Sequence, residues 1–304
     1  MGAGSKMAVL AGCAPYSRTD ERPMQSPRLP WLLALALLAP ASFAEAQDKP
    51  ETKTTPAPAA EKKSDDKPAA PAAEKKSDDP FEVPVNTAIV PEPRPGPWVR
   101  QHEAFLERAK KGDVDLLFLG DSITAGWNGA GPVWSRYYGA RKAANFGIGG
   151  DRTQHVLWRL ENGEAEGIKP RVVVLMIGTN NVGRNTEPEI AEGVKAVVTR
   201  LREKFPETRV LLLGVFPRGL NRDKSQVTTA PDARIGRINR RLARLDDGKS
   251  VRYLDIGVDF LDATGQIPGA IMPDYLHLSR KGYQAWADAI EPTLWELLDE
   301  KTQK

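Results

Sequence analysis

The sequence predicts an α/β fold of three layers, with a central parallel sheet of about five strands between two layers of helices. Two observations predict it. From Val114 onward, apolar runs alternate with amphipathic stretches, and strand alternating with helix calls for a parallel sheet covered on both faces. The strongest runs are nearly continuous in apolar residues, as strands buried on both faces are, instead of alternating with polar ones.

Taken in chain order, Leu116 to Leu119 reads as the first buried strand and Ala143 to Phe146 as a second, weaker one. Thr153 to Asn162 follows as a helix whose Val156, Leu157 and Leu160 face a core, and Val172 to Ile177 as the third strand. Thr186-Glu187-Pro188-Glu189 forms a capping box, in which hydroxyl and carboxylate each take one of the backbone N–H groups left over at a helix start. The helix it opens carries Ile190, Val194, Val197, Val198, Leu201 and Phe205 on one face, and Pro206 stops it. Val210 to Val215 and the weaker Val251 to Leu254 complete the sheet. The last helix follows Ser279 and repeats Tyr283, Trp286, Ile290, Leu294 and Leu297 at helical spacing, so those aromatics belong to a core and not to a cofactor site.

The 304 residues divide into a candidate signal peptide (1–44), a linker (45–80) and the folded domain (81–304). Leu29 to Ala44 is uncharged, follows Arg28 and ends Ser42-Phe43-Ala44. As a helix it would span roughly 24 Å, short of a ~30 Å hydrocarbon core. A basic flank, an apolar centre and a small-x-small end describe a secretory signal, and a start at Met24 would give it ordinary length. Leu10-Ala11-Gly12-Cys13 resembles a lipobox, so a lipid on Cys13 is an alternative to a cleaved export signal; an uncleaved anchor at Leu29 to Ala44 is another. In the linker, Pro58 to Asp66 repeats without change as Pro71 to Asp79. The stretch lacks aromatic and large aliphatic residues and cannot bury enough surface to offset the entropy of ordering. Such a spacer suits a domain held away from a membrane or wall, which leaves cell-envelope association open.

Composition narrows the chemistry. Cys13 is the only cysteine and falls in the segment expected to be removed, so the domain is expected to hold no disulfide, cysteine nucleophile or thiolate metal site. Removing the four basic and two acidic residues of 1–44 takes the formal charge from +3 to +1, which is no nucleic-acid footprint. Neither a His/Cys cluster with metal-ligand spacing nor Gly-x-Ser-x-Gly occurs. Gly147-Ile148-Gly149 begins a dinucleotide fingerprint, but Arg152 stands where its third glycine would be. No metal or cofactor is expected.

Four motifs remain: Gly120-Asp121-Ser122, Asn145 to Asp151, Gly178-Thr179-Asn180-Asn181 and Asp274-Tyr275-Leu276-His277. Three of them close a predicted strand, at the sheet edge where α/β proteins bind ligands. Acyl transfer needs a nucleophile, a base, a group orienting that base and donors for the oxyanion. Ser122 can be the nucleophile, His277 the base and Asp274 the orienting carboxylate; the Gly150 N–H and the Asn180 amide can donate to the oxyanion. Each has a plainer reading: Gly-Asp-Ser is an ordinary turn, Asp-x-x-His a cap, and Asn180 a cap on its loop. Of the three histidines, His102 precedes the first strand and His155 lies on a helix facing a core, which leaves His277 as base. Asp121 is read as tying the nucleophile loop together. Ile123 and Leu276 adjoin nucleophile and base, and their side chains could wall off a shallow acyl pocket.

The order and spacing of these blocks resemble the SGNH (GDSL) hydrolases from about Asp113 to Leu298. The run Asn145 to Asp151, with His155 to Leu160 and Asn162-Gly163-Glu164 after it, resembles in particular the catalytic subunits of intracellular type I platelet-activating-factor acetylhydrolase. The resemblance implies a flavodoxin-like SGNH fold, the Ser122–His277–Asp274 triad, and an oxyanion hole of Ser122 N–H, Gly150 N–H and Asn180. It also implies Thr179 on the substrate side, no cofactor and a short, acetyl-like acyl group. The expectation is an exported serine ester hydrolase acting on a small-molecule, glycan or lipid ester. A lysophospholipase and a carbohydrate O-acetyl esterase fit the same residues, and a non-catalytic glycan-binding surface module is the alternative from another class. The alcohol half of the ester and the oligomeric state stay open.

Overall fold

Five strands, β1 (Leu116–Gly120), β2 (Ala143–Gly147), β3 (Val172–Met176), β4 (Arg209–Leu213) and β5 (Val251–Leu254), pair in parallel in the order β2-β1-β3-β4-β5. The computed structural model describes residues 85–219 and 228–299. The expectations for 1–44, for 45–80 and for Cys13 lie outside the described residues. The observed strands match the predicted ones to within two residues at either end. β1 and β3 are central and buried along their whole length, which explains their unbroken apolar sequences.

Alternate strand residues serve opposite faces, because side chains along a strand point up and down by turns. Leu117 and Leu119 pack with Val173 and Leu175 in a core shared with α4 (Thr153–Glu161), α5 (Glu187–Lys204) and α6 (Ala233–Leu242). Leu116 and Phe118 pack with Val172, Val174 and Met176 in a second core, against α2 (Ser122–Ala125), α3 (Gly131–Tyr138) and α7 (Arg280–Leu297). The helix α1 (Pro97–Lys110) joins the first face through Ala109 and Phe105. The result is the expected three-layer α/β fold. The predicted capping box of α5 is present, with the Thr186 N–H donating to Glu189 Oε2 at 2.7 Å.

Among the described residues three helices were not anticipated: α1, α3 and α6. In α6 the buried apolar residues are Ile235, Ile238 and Leu242 behind an Asp232 N-cap; the pattern is regular, but arginines outnumber it. In α1, Trp98, His102 and Ala109 turn inward at helical spacing, with a histidine in a place usually filled by an aliphatic residue.

The second core is aromatic where it meets α2. Trp127 and Trp286 lie 5.1 Å apart, centroid to centroid, and Tyr283 lies 4.7 Å from Trp127. Burying a side chain of this size is worth about 1.5–3 kcal/mol or more, so the floor under α2 is stiff. The Tyr283 hydroxyl donates to the Ile123 carbonyl at 2.7 Å and lies where a Cβ on Gly126 would stand. The short helix is thereby held from below.

Candidate active site

The strand order places the carboxyl ends of β1, β2 and β3 side by side. β1 ends at Gly120, and Asp121 turns the chain as N-cap of α2, its carboxylate accepting from the Ile123 N–H at 2.9 Å. Ser122 is therefore the first residue of α2, half-buried at the sheet edge.

The Ser122 Oγ lies 2.8 Å from His277 Nε2, and His277 Nδ1 lies 2.7 Å from Asp274 Oδ2. The second carboxylate oxygen accepts from the backbone N–H groups of Leu276 and His277 at 3.1 and 2.7 Å. One side chain thus builds the turn and orients the ring. The turn needs a left-handed residue, and Tyr275 takes it with φ of 57°. Burial pushes the Asp274 carboxyl up, but the hydrogen bonds from the His277 ring and backbone outweigh it and hold it below the usual carboxylate range. An ionised Asp274 keeps the proton on Nδ1 and leaves the Nε2 lone pair facing Ser122.

Across from this relay lies the loop after β2. Asp151 N–H bonds back to the Ile148 carbonyl at 3.2 Å, folding Gly149 and Gly150 into an exposed turn. Gly150 has φ of 79°, a conformation that favours glycine. A side chain on Gly149 would come within 3.9 Å of Ser122 Cβ, so this turn lies against Ser122. Among the described residues, no acceptor takes the Gly150 N–H. After β3, Asn180 sits in a 3-10 turn (Thr179–Asn181), its Nδ2 donating to the Asp151 carbonyl at 2.8 Å. Asn181, beside it, is buried and ties that turn to α4 through Thr153 and Gln154.

Two expectations are corrected. Ile123 and Thr179 are each 1% exposed, so neither side chain presents a surface to a substrate. Ile123 points into the aromatic core, because α2 turns its second residue toward the sheet. Thr179 gives its carbonyl and hydroxyl to Arg218 at 2.6 and 3.1 Å, so it supports the Asn180 turn from behind. Leu276 is buried in the same core as Ile123. His155 is buried as expected: its Nδ1 accepts from the Arg152 N–H at 3.0 Å, and burial with Arg152 and Arg94 nearby lowers it to about 3. His102 bonds to Glu164 at 3.1 Å and stacks on Trp98. Among the described residues, no group of three or more His, Cys, Asp or Glu side chains is placed to hold a metal ion.

Beyond the residues expected, the structure adds a charged cluster behind the Gly149–Gly150 turn. The Asp151 carboxylate is fully buried among Arg94, Arg159 and Trp98; burial outweighs the two guanidinium groups and raises it above the usual carboxylate range.

The sequence model of the GDSL-like lipase/acylhydrolase family matches residues 118–285, more than half of the chain, and spans the Ser122, Gly150, Asn180 and His277 loops. The chain belongs to that family. This GDSL-family protein is 38% identical over 207 residues to the platelet-activating factor acetylhydrolase IB subunit alpha1 of Bos taurus, covering 67% of this chain and 84% of that one. It is 35% identical over 207 residues to the alpha2 subunit of Rattus norvegicus, covering 68% and 87%. A GDSL-like lipase from Bacteroides thetaiotaomicron shares the fold, with a TM-score of 0.51 at 18% identity over 66% of this chain and 96% of that one. The GDSL-family chain is an ester hydrolase.

Proposed function

We propose that this enzyme cleaves short-chain esters, acetyl esters above all, through a Ser122–His277–Asp274 triad and an acyl-enzyme. The observation that carries the reading is the continuous hydrogen-bonded line from Ser122 Oγ through both His277 nitrogens to Asp274. As Oγ attacks the ester carbonyl, His277 Nε2 takes its proton, and Asp274 stabilises the imidazolium that forms. The carbonyl oxygen becomes an oxyanion, received by the N–H groups of Ser122 and Gly150 and by the Asn180 amide. His277 returns the proton to the departing alkoxide. A water then repeats the sequence on the Ser122 ester, releasing the acid and the free enzyme.

Two facts support a short acyl group. Relatives at 35–38% identity bear the name acetylhydrolase. Leu276, next to the proposed base, is packed in the core, so a long chain pushing into its place would displace packed side chains at about 1–3 kcal/mol. Hydrolysis of p-nitrophenyl acetate against the octanoate tests this. The acetate is expected to be cleaved roughly 5- to 150-fold faster per active site, and Ser122→Ala to abolish both reactions. Preference for octanoate would replace the acetyl reading with a lysophospholipase; full activity in Ser122→Ala would remove the triad.

A further inference from the structure

We infer that Arg94 is a positioning residue of the oxyanion hole, acting through the Gly149–Gly150 peptide and Asp151. The inference rests on the proposed role of Gly150 and Asn180 as oxyanion donors.

Arg94 lies in the segment before α1, outside the stretch matched by the family model, and its side chain is 33% exposed. Its Nη1 donates to the Gly149 carbonyl at 2.7 Å and to Asp151 Oδ1 at 3.1 Å. The Gly149 carbonyl and the Gly150 N–H belong to one peptide plane. In a trans peptide they point in opposite directions. A guanidinium fastened to the carbonyl therefore turns the N–H away from Arg94, within a turn that lies against Ser122. Two adjacent glycines make the opposite orientation cheap, and that orientation would put a carbonyl where the oxyanion needs a donor. Arg94 selects between the two.

The second donor depends on the same place. Asn180 is oriented by its bond to the Asp151 carbonyl at 2.8 Å. The Asp151 side chain is anchored by Arg94, by Trp98 Nε1 at 2.7 Å and by Arg159 Nε at 3.1 Å. Arg159 is itself buried and donates to the Phe146 carbonyl at 2.9 Å, where β2 delivers the loop. Both donors are thus hung on one residue, and Arg94 is the only partly exposed member of its clamp among Arg94, Trp98 and Arg159. It can be changed without leaving a cavity in the core.

The test is Arg94→Ala, with p-nitrophenyl acetate kinetics and with Ser122 labelled to completion by a fluorophosphonate to count working sites. Turnover per labelled site is expected to fall about 10- to 100-fold, the scale of a misplaced catalytic group, with KM within about threefold. Added guanidinium ion should restore part of the loss in Arg94→Ala and leave the wild type unaffected. Unchanged turnover per site, with the wild type labelled at Ser122, overturns the role of Arg94 alone; so does a loss of activity that merely follows a loss of labelled sites. A wild type not labelled at Ser122 overturns the proposed triad and this inference with it.

Discussion

The Asn180 side-chain amide donates to the main-chain carbonyl of Asp151 at 2.8 Å. The loops after β2 and β3 are joined by that bond, so the two candidate oxyanion donors they carry move as one piece. Preorganisation of this kind lets a donor stabilise developing charge without reorganising during the reaction.

Loss of Asn180 is therefore expected to be felt mainly in turnover. Asn180→Ala should lower kcat by about 10²–10³, the usual effect of removing one preorganised donor, with KM changing far less because the bond strengthens only in the transition state. Steady-state kinetics on p-nitrophenyl acetate separates the two constants. A large rise in KM at constant kcat would make Asn180 a substrate-binding residue instead.

Acid stability should carry the signature of His155. Its folded value is about 3 against an ordinary 6.5, because it is buried and the guanidinium groups of Arg152, Arg94 and Arg159 lie near it. Between those values the unfolded chain binds one proton more than the folded one. Stability from this group is complete above pH 6.5 and is lost as the pH falls toward 3, by at most about 1.4 kcal/mol per pH unit. His155→Asn keeps an acceptor near the same place without titrating. Urea midpoints between about pH 7 and pH 4 should fall less steeply for that variant than for the wild type. Equal slopes would mean that His155 does not control the acid limb.

The proposed export yields to a direct chemical check. Secreted material should begin near Glu45 or Gln47, after Ser42-Phe43-Ala44 or Ala44-Glu45-Ala46. N-terminal sequencing decides this, and a lipid-modified Cys13 or an intact apolar segment found in membranes would contradict it.

Much of the fold was legible because buried parallel strands announce themselves. Val172 to Met176 has no polar residue, and few other structures want that pattern. The residues the structure brings together at the sheet edge, Ser122, Gly150, Asn180 and His277, were legible for a related reason: they stand shortly after strands or just before a helix. What escaped was set by contacts between distant segments. Arg94 meets Gly149 across 55 positions, and nothing periodic near Arg94 points there. The direction of Ile123 was misjudged because a neighbour in sequence need not share a surface. One residue after Ser122, the first turn of α2 already faces the core.

The most direct measurement of the central claim is the mass of the enzyme caught during turnover. Rapid acid quenching with p-nitrophenyl acetate, followed by peptide mapping, should find one acetyl group, and it should sit on Ser122. His277→Ala, which removes the proposed base held 2.8 Å from Oγ, should not accumulate it on the same timescale. An acetyl group on any other residue, or turnover with Ser122 never modified, would contradict a serine acyl-enzyme built on this relay.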